Sequence, residues 1–125
     1  MTALVDTSVL IDVLRDRPGA AAMLATVRGA GAVHASEITR VEVLSGMRRR
    51  EEEATRALLA TLTWVPLDEQ VAERAAELGR TWLMSHSGID VADLVIAATA
   101  DLLGAELLTR NVKHFPMFDG LVAPY

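Results

Sequence analysis

The chain has 125 residues, 51% hydrophobic, 23% charged and only 4% aromatic, so alanine, leucine and valine must supply most of the packing of its core. Its lack of cysteine excludes disulfides, thiolate metal sites and a thiol nucleophile. A net charge of -5 argues against a general basic surface for nucleic acid, yet it is compatible with a nucleic-acid enzyme whose acids are clustered and whose cations lie elsewhere.

The apolar stretches stop short of the ~20 residues that a membrane helix needs, and the first residues lack the basic and apolar regions of a secretory signal. A soluble, cytoplasmic protein without membrane contact is therefore expected. In chain order, Thr2 to Val5 predicts a first strand and Thr7 to Leu14 a helix. Pro18 fits the first turn of a second helix ending near Gly29, and Ala32 to Ala35 is a short second strand. Ser36 caps a helix with apolar positions Ile38, Val41 and Leu44. A break around Arg49 and Arg50 precedes a helix from Glu51 to Leu62, where Arg48, Arg49 and Arg50 face Glu51, Glu52 and Glu53 as pairs on a solvated surface.

Trp64-Val65 before Pro66 is extended. Asp68 caps a helix with a buried stripe of Val71, Ala75, Leu78 and Trp82, and Ser85 to Gly88 is a loop. Asp90 to Leu103 is apolar almost all round, as in a central buried helix, and Gly104 ends it. Leu107-Leu108-Thr109 is a further strand, and the tail from Pro116 to Tyr125 includes one more extended segment. Strands alternating with helices predict an α/β fold in one domain over residues 1–125, with a parallel central sheet and helices on both faces.

Asp6 ends the first strand, at the carboxyl edge of the sheet where open α/β folds bind ligands; the same position also suits a helix cap. Glu42 borders the apolar stripe of its helix, with space left by Ser45 and Gly46, and reads either as a solvated glutamate or as a site residue. Asp90 stands at an N-cap, whereas Asp93 falls in the first turn of the buried helix, so Asp93 is the candidate site residue. Three such carboxylates, if they converge, would hold a hard cation such as magnesium. Thr109 and Asn111 follow the last strand at the same edge, Asn111 as a turn residue or an amide oxygen donor. His34, His86 and His114 have no ligand spacing. Arg15, Arg17, Arg110 and Lys113 flank the candidate residues.

The stretches Val5-Asp6-Thr7-Ser8-Val9-Leu10-Ile11, Glu42-Val43-Leu44-Ser45-Gly46, Asp93-Leu94-Val95-Ile96-Ala97-Ala98-Thr99-Ala100 and Leu108-Thr109-Arg110-Asn111 with His114-Phe115 resemble, in this order and at these distances, a PIN domain. Within that family the chain resembles a VapC-type toxin of a type II toxin–antitoxin pair. The resemblance spans nearly the whole chain. It implies a metal-dependent endoribonuclease with Asp6, Glu42 and Asp93 as metal ligands and Asn111 in the fourth position. Thr7 or Ser8 would support Asp6, and Thr109 would contact phosphate. Many relatives carry aspartate at the fourth place; asparagine removes one charge there. Also implied are Mg2+, or Mn2+ as a substitute, RNA as substrate, homodimerisation, and a cognate antitoxin within a larger complex. Cleavage would leave a 5′-phosphate and a 3′-hydroxyl. The rival readings are a non-catalytic PIN-fold module for RNA binding or assembly, and a phosphotransfer enzyme. The second asks for an aspartate at position 8, which is serine, or for paired acids at one strand end.

Overall fold

The computed structural model describes residues 2–125. Among them, strands β1 (Ala3–Val5), β2 (Val33–Ser36), β3 (Thr63–Val65) and β4 (Glu106–Leu108) form an all-parallel sheet in the order β3-β2-β1-β4. Helices α1 (Thr7–Leu14) and α2 (Ala20–Ala30) connect β1 to β2, and α3 (Glu37–Ser45) and α4 (Glu52–Leu59) connect β2 to β3. Helices α5 (Glu69–Trp82) and α6 (Val91–Leu103) lead to β4. No helix of the described residues is long and apolar enough to cross a membrane.

The alternation of side chains along each strand sorts the core into two layers. Leu4 and Leu107 pack with α5, α6 and Phe115, whereas Ala3, Val5, Val33, Ala35 and Leu108 pack with residues of α1, α2, α3 and α4. The α/β expectation, with helices on both faces of a parallel sheet, matches this arrangement. Helix α6 is buried continuously from Asp93 to Ala100. Helix α5 approaches it closely at Gly79, where an added Cβ would lie 3.2 Å from Leu94 Cδ1.

The sheet grows to one side of β1 through β2 and β3, and then returns to its other side with β4. This reversal opens a crevice at the carboxyl ends of β1 and β4, the usual ligand position in such folds. Val5 pairs with Leu108, so Asp6 and Thr109 leave the sheet side by side. Helix α3 packs against both α1 and α6 and brings its own residues to this edge.

Several local expectations are corrected. Helix α2 starts at Ala20 rather than within the turn of Pro18, because Gly19 takes a left-handed conformation (φ 87°) that halts the helix. Its missing side chain also makes room for Tyr125, whose Cβ would lie 3.1 Å from a Cβ at position 19. The break after α3 falls at Gly46–Arg48, followed by a 3-10 turn at Arg49–Glu51. Arg48–Arg50 and Glu51–Glu53 form no ion pairs with one another among the described residues; Glu51 reaches Arg15 across the fold instead. The tail contains no strand. Pro116 and Pro124 supply no N–H for a ladder, and Met117, Phe118 and Leu121 pack against the α5–α6 layer.

Phe115 is 1% exposed and ties the segment after β4 to this layer. Truncation to alanine is expected to cost about 3–5 kcal/mol in urea denaturation. A loss below about 1 kcal/mol would show that this segment is not anchored there.

Candidate active site

Asp6 has the extended backbone of a helix N-cap (φ -78°, ψ 154°) and is 3% exposed, yet its side chain makes no capping bond. Its Oδ2 instead accepts hydrogen bonds from Ser8 Oγ at 2.6 Å and Thr109 Oγ1 at 2.8 Å. Both hydroxyls are oriented from behind. Ser8 Oγ accepts the backbone N–H of Arg110 at 3.2 Å, and Thr109 Oγ1 accepts that of Asn111 at 2.9 Å. A hydroxyl carries one proton, and accepting an N–H leaves that proton aimed at the carboxylate. Thr109 is fully buried with its hydroxyl engaged on both sides, so the phosphate contact expected of it is not available.

Thr7, the next residue, faces α3. Its Oγ1 donates to Glu42 Oε1 at 2.7 Å and lies 3.0 Å from Thr39 Oγ1. Thr39 and Glu42 are three positions apart on α3 and so share a face. The half-buried Glu42 is therefore tied to the first turn of α1 rather than released to solvent. Thr7 supports Glu42 and Ser8 supports Asp6.

Asp93 is 8% exposed, in the first turn of α6. Asp90 caps this helix as expected, its Oδ1 accepting the Asp93 N–H at 2.8 Å. Asp93 also returns a bond, its Oδ2 accepting the Asp90 N–H at 3.1 Å in a reciprocal capping box. The division of labour between the two aspartates is thus less complete than the sequence suggests. Burial pushes the Asp93 carboxyl up to about 6. The bond from the Asp90 N–H opposes this, the Asp90 charge adds to it, His114 opposes it, and the Asp6 charge adds to it. His114 Nδ1 lies 3.1 Å from Asp93 Oδ2.

The three carboxylates share a pattern. One oxygen of each is held by the chain itself: Asp6 Oδ2, Glu42 Oε1 and Asp93 Oδ2. The second oxygen of each has no hydrogen-bond partner among the described residues. None of these second oxygens is among the wholly buried polar atoms left without a partner, which are His34 Nδ1 and Thr55 Oγ1, so each keeps some contact with solvent. Hard, partly oriented oxygen donors suit a divalent cation in chemistry. In the chain alone, no three His, Asp or Glu side chains of the described residues are grouped closely enough to hold one. Thr7 and His114 hold Glu42 and Asp93 in place.

Asn111 makes no side-chain bond to the three acids among the described residues. Its side chain lines a hollow of about 650 Å³ together with Asp12, Arg17, Pro18, Arg110 and Tyr125. Sequence reasoning missed His114 as the neighbour of Asp93. It also missed Thr39 and the role of Tyr125. For His114 a signal existed, since it follows β4 closely at the same edge as Asp6; for Tyr125 there was none.

The raised Asp93 carboxyl has a stability consequence. Its ordinary value is 3.8, so the folded, metal-free chain holds a proton there more tightly than the unfolded chain does. The resulting stabilisation is present below about pH 4 and disappears as the pH rises through about 6. Asp93→Asn is neutral and retains a capping oxygen. Between about pH 4 and pH 7 the variant is expected to gain stability progressively on the wild type in urea denaturation. A difference independent of pH would contradict the shift.

The PIN-domain family model matches residues 3–119. The chain is 43% identical to Ribonuclease VapC19 of Mycobacterium tuberculosis over 98% of each sequence. It is 39% identical to Ribonuclease VapC10 of the same organism, over 98% of this chain and 92% of the relative. A chain of a toxin–antitoxin complex from Klebsiella pneumoniae superposes with a TM-score of 0.79 at 33% identity, over 98% of both. Asp6, Glu42 and Asp93 all lie within the matched region, and the chain belongs to the PIN-domain family, in the group that includes the VapC ribonucleases.

Proposed function

We propose that this chain is a metal-dependent endoribonuclease, one PIN domain over residues 1–125, acting in the cytoplasm as the toxin of a type II toxin–antitoxin pair. Its substrate is RNA, and its partners are a cognate antitoxin and a second copy of itself within a larger complex. The names of the M. tuberculosis relatives and the Klebsiella pneumoniae complex support this reading. The observation that carries it is the shared state of Asp6, Glu42 and Asp93, each with one oxygen fixed by the chain and one open at the switch point of the sheet.

Asp6, Glu42 and Asp93 would hold Mg2+, with Mn2+ as a substitute, and Asn111 would stand at the fourth position as a neutral amide. When bound, the cation polarises a phosphoryl oxygen and makes water more acidic for in-line attack on a phosphodiester. Ser8 and Thr109 keep Asp6 in one rotamer, so its open oxygen is presented without reorganisation. Thr7 does the same for Glu42, and His114 and the Asp90 N–H do so for Asp93. The products carry a 5′-phosphate and a 3′-hydroxyl. The 2′-hydroxyl is then not a nucleophile, and preference for RNA rests on shape and groove contacts.

Purified, antitoxin-free protein is expected to cleave structured RNA with Mg2+ and not without it, leaving 5′-phosphate ends on end-mapping. Asp93→Asn is expected to abolish cleavage with an unchanged circular dichroism spectrum. Asp90→Asn should retain cleavage, because an amide oxygen accepts the Asp93 N–H as a carboxylate does. An active, folded Asp93→Asn protein would overturn the ligand assignment, and RNA binding without metal-dependent cleavage would favour the non-catalytic module.

Thr109→Val keeps the shape and removes one donor to Asp6. It is expected to lower metal affinity or activity about 10–100-fold, as loss of a group supporting a metal ligand does. A Mg2+ titration of cleavage that matches the wild type would remove Thr109 from the site.

A further inference from the structure

Thr39 and Val43 are the buried residues of α3, and Thr39 is 0% exposed. Valine has nearly the shape of threonine without the hydroxyl, and burying a hydroxyl is costly unless it is bonded. A helical threonine can meet this by donating to the carbonyl four residues back. Thr26, Thr81 and Thr99 do so, to Ala22, Glu77 and Val95 at 3.0, 3.2 and 2.7 Å. Thr39 does not. Its one hydrogen-bond partner among the described residues is Thr7, 32 positions earlier on α1, with the two hydroxyl oxygens 3.0 Å apart.

The direction of this bond follows from counting protons. Thr7 Oγ1 carries one, and it lies 2.7 Å from Glu42 Oε1, a carboxylate oxygen that only accepts. The Thr7 proton is therefore committed to Glu42, and Thr39 must supply its own proton to Thr7. Two donors in series thus end on the carboxylate, and each bond polarises the next. At Asp6 the same task, fixing a hydroxyl from behind, falls to the backbone N–H groups of Arg110 and Asn111. No backbone N–H reaches Thr7 Oγ1 among the described residues, so a side chain takes that place.

We infer that Thr39 is a positioning residue of the active site, acting through Thr7 to hold Glu42 in the orientation that leaves its second oxygen free for a divalent cation. The cation rests on the nuclease reading, whereas the chain from Thr39 through Thr7 to Glu42 stands without it. Thr39 and Glu42 are one turn apart on the same face of α3, so the route through α1 returns to the helix it started from. The place of the carboxylate is thereby set by the packing of α1 on α3.

The test uses the full chain and the variants Thr39→Val, Thr39→Ser and Thr7→Val. Thr99→Val is the control, since it removes an equally buried helical hydroxyl elsewhere. The first readout is metal-free: the Thr7 χ1 angle in EDTA, from three-bond couplings to its methyl carbon. Wild type, Thr39→Ser and Thr99→Val should show one rotamer, and Thr39→Val an average over two. The second readout is Mn2+ affinity by electron paramagnetic resonance. Thr39→Val is expected to weaken it about fivefold, Thr39→Ser to restore it and Thr99→Val to match the wild type. In the Thr7→Val background Thr39→Val should cost nothing further, because its route to Glu42 is gone; a merely structural role would add its own loss. A single Thr7 rotamer in Thr39→Val, or additive losses of affinity, would overturn the inference. Averaging of Thr7 in Thr39→Val, in a protein whose wild type binds no Mn2+, would keep the positioning chain and discard the metal-dependent nuclease. Asp93-dependent Mn2+ binding that Thr39→Val leaves unchanged would do the reverse.

Discussion

Asp6 and Thr109 are 103 positions apart in sequence, yet the Thr109 hydroxyl bonds the Asp6 carboxylate at 2.8 Å. The pairing of β1 with β4 makes this possible, because Val5 lies opposite Leu108 and the next residue of each strand leaves the sheet at the same point. The Asp6 N–H continues the ladder to the Leu108 carbonyl at 2.9 Å. A one-residue slip would reverse the side chains of β4, sending Leu107 and Leu108 to the wrong layers and removing Thr109 from Asp6. The core and the site therefore depend on the same register. The two layers of apolar side chains enforce it, and the hydroxyl–carboxylate bond uses it.

From that fixed point the chain supports its acids by short local steps. Thr7 and Ser8 follow Asp6 immediately and point to different partners, one to Glu42 and the other back to Asp6. Hydroxyls do this without adding charge. The exception is Asp93, whose surroundings are dry and which feels the charges of both Asp90 and Asp6. An apolar helix that starts at the sheet edge brings the carboxyl there but cannot solvate it. In the chain alone, His114 and the Asp90 N–H are the groups that offset this cost.

The tail adds a second level of organisation. Tyr125 reaches α1 through Asp12 and the loop after β4 through Arg110, so it closes one side of the crevice without covering the acids.

Much of this was legible in the sequence because it follows from local rules. The caps at Ser36, Asp68 and Asp90 are where short polar side chains precede apolar helices, and each accepts a backbone N–H. The strand ends at Asp6 and Thr109 follow from short apolar runs, and the burial of α6 follows from its unbroken apolar surface. Helix boundaries near Gly19 and Gly46 were misplaced because a left-handed glycine and a 3-10 turn overrode the proline and arginine signals. The tail forms no strand, and nothing local indicates that Tyr125 has a partner on α1. Sequence alone determined the order of elements, the helix caps and which acids stand at strand ends and helix starts, since each depends on neighbours within a few residues. Only the tertiary structure decided that Thr109 holds Asp6, that Thr7 holds Glu42, that His114 meets Asp93 and that Arg110 stacks on Tyr125. Those contacts depend on strand register and helix packing, which bring together residues that no local pattern connects.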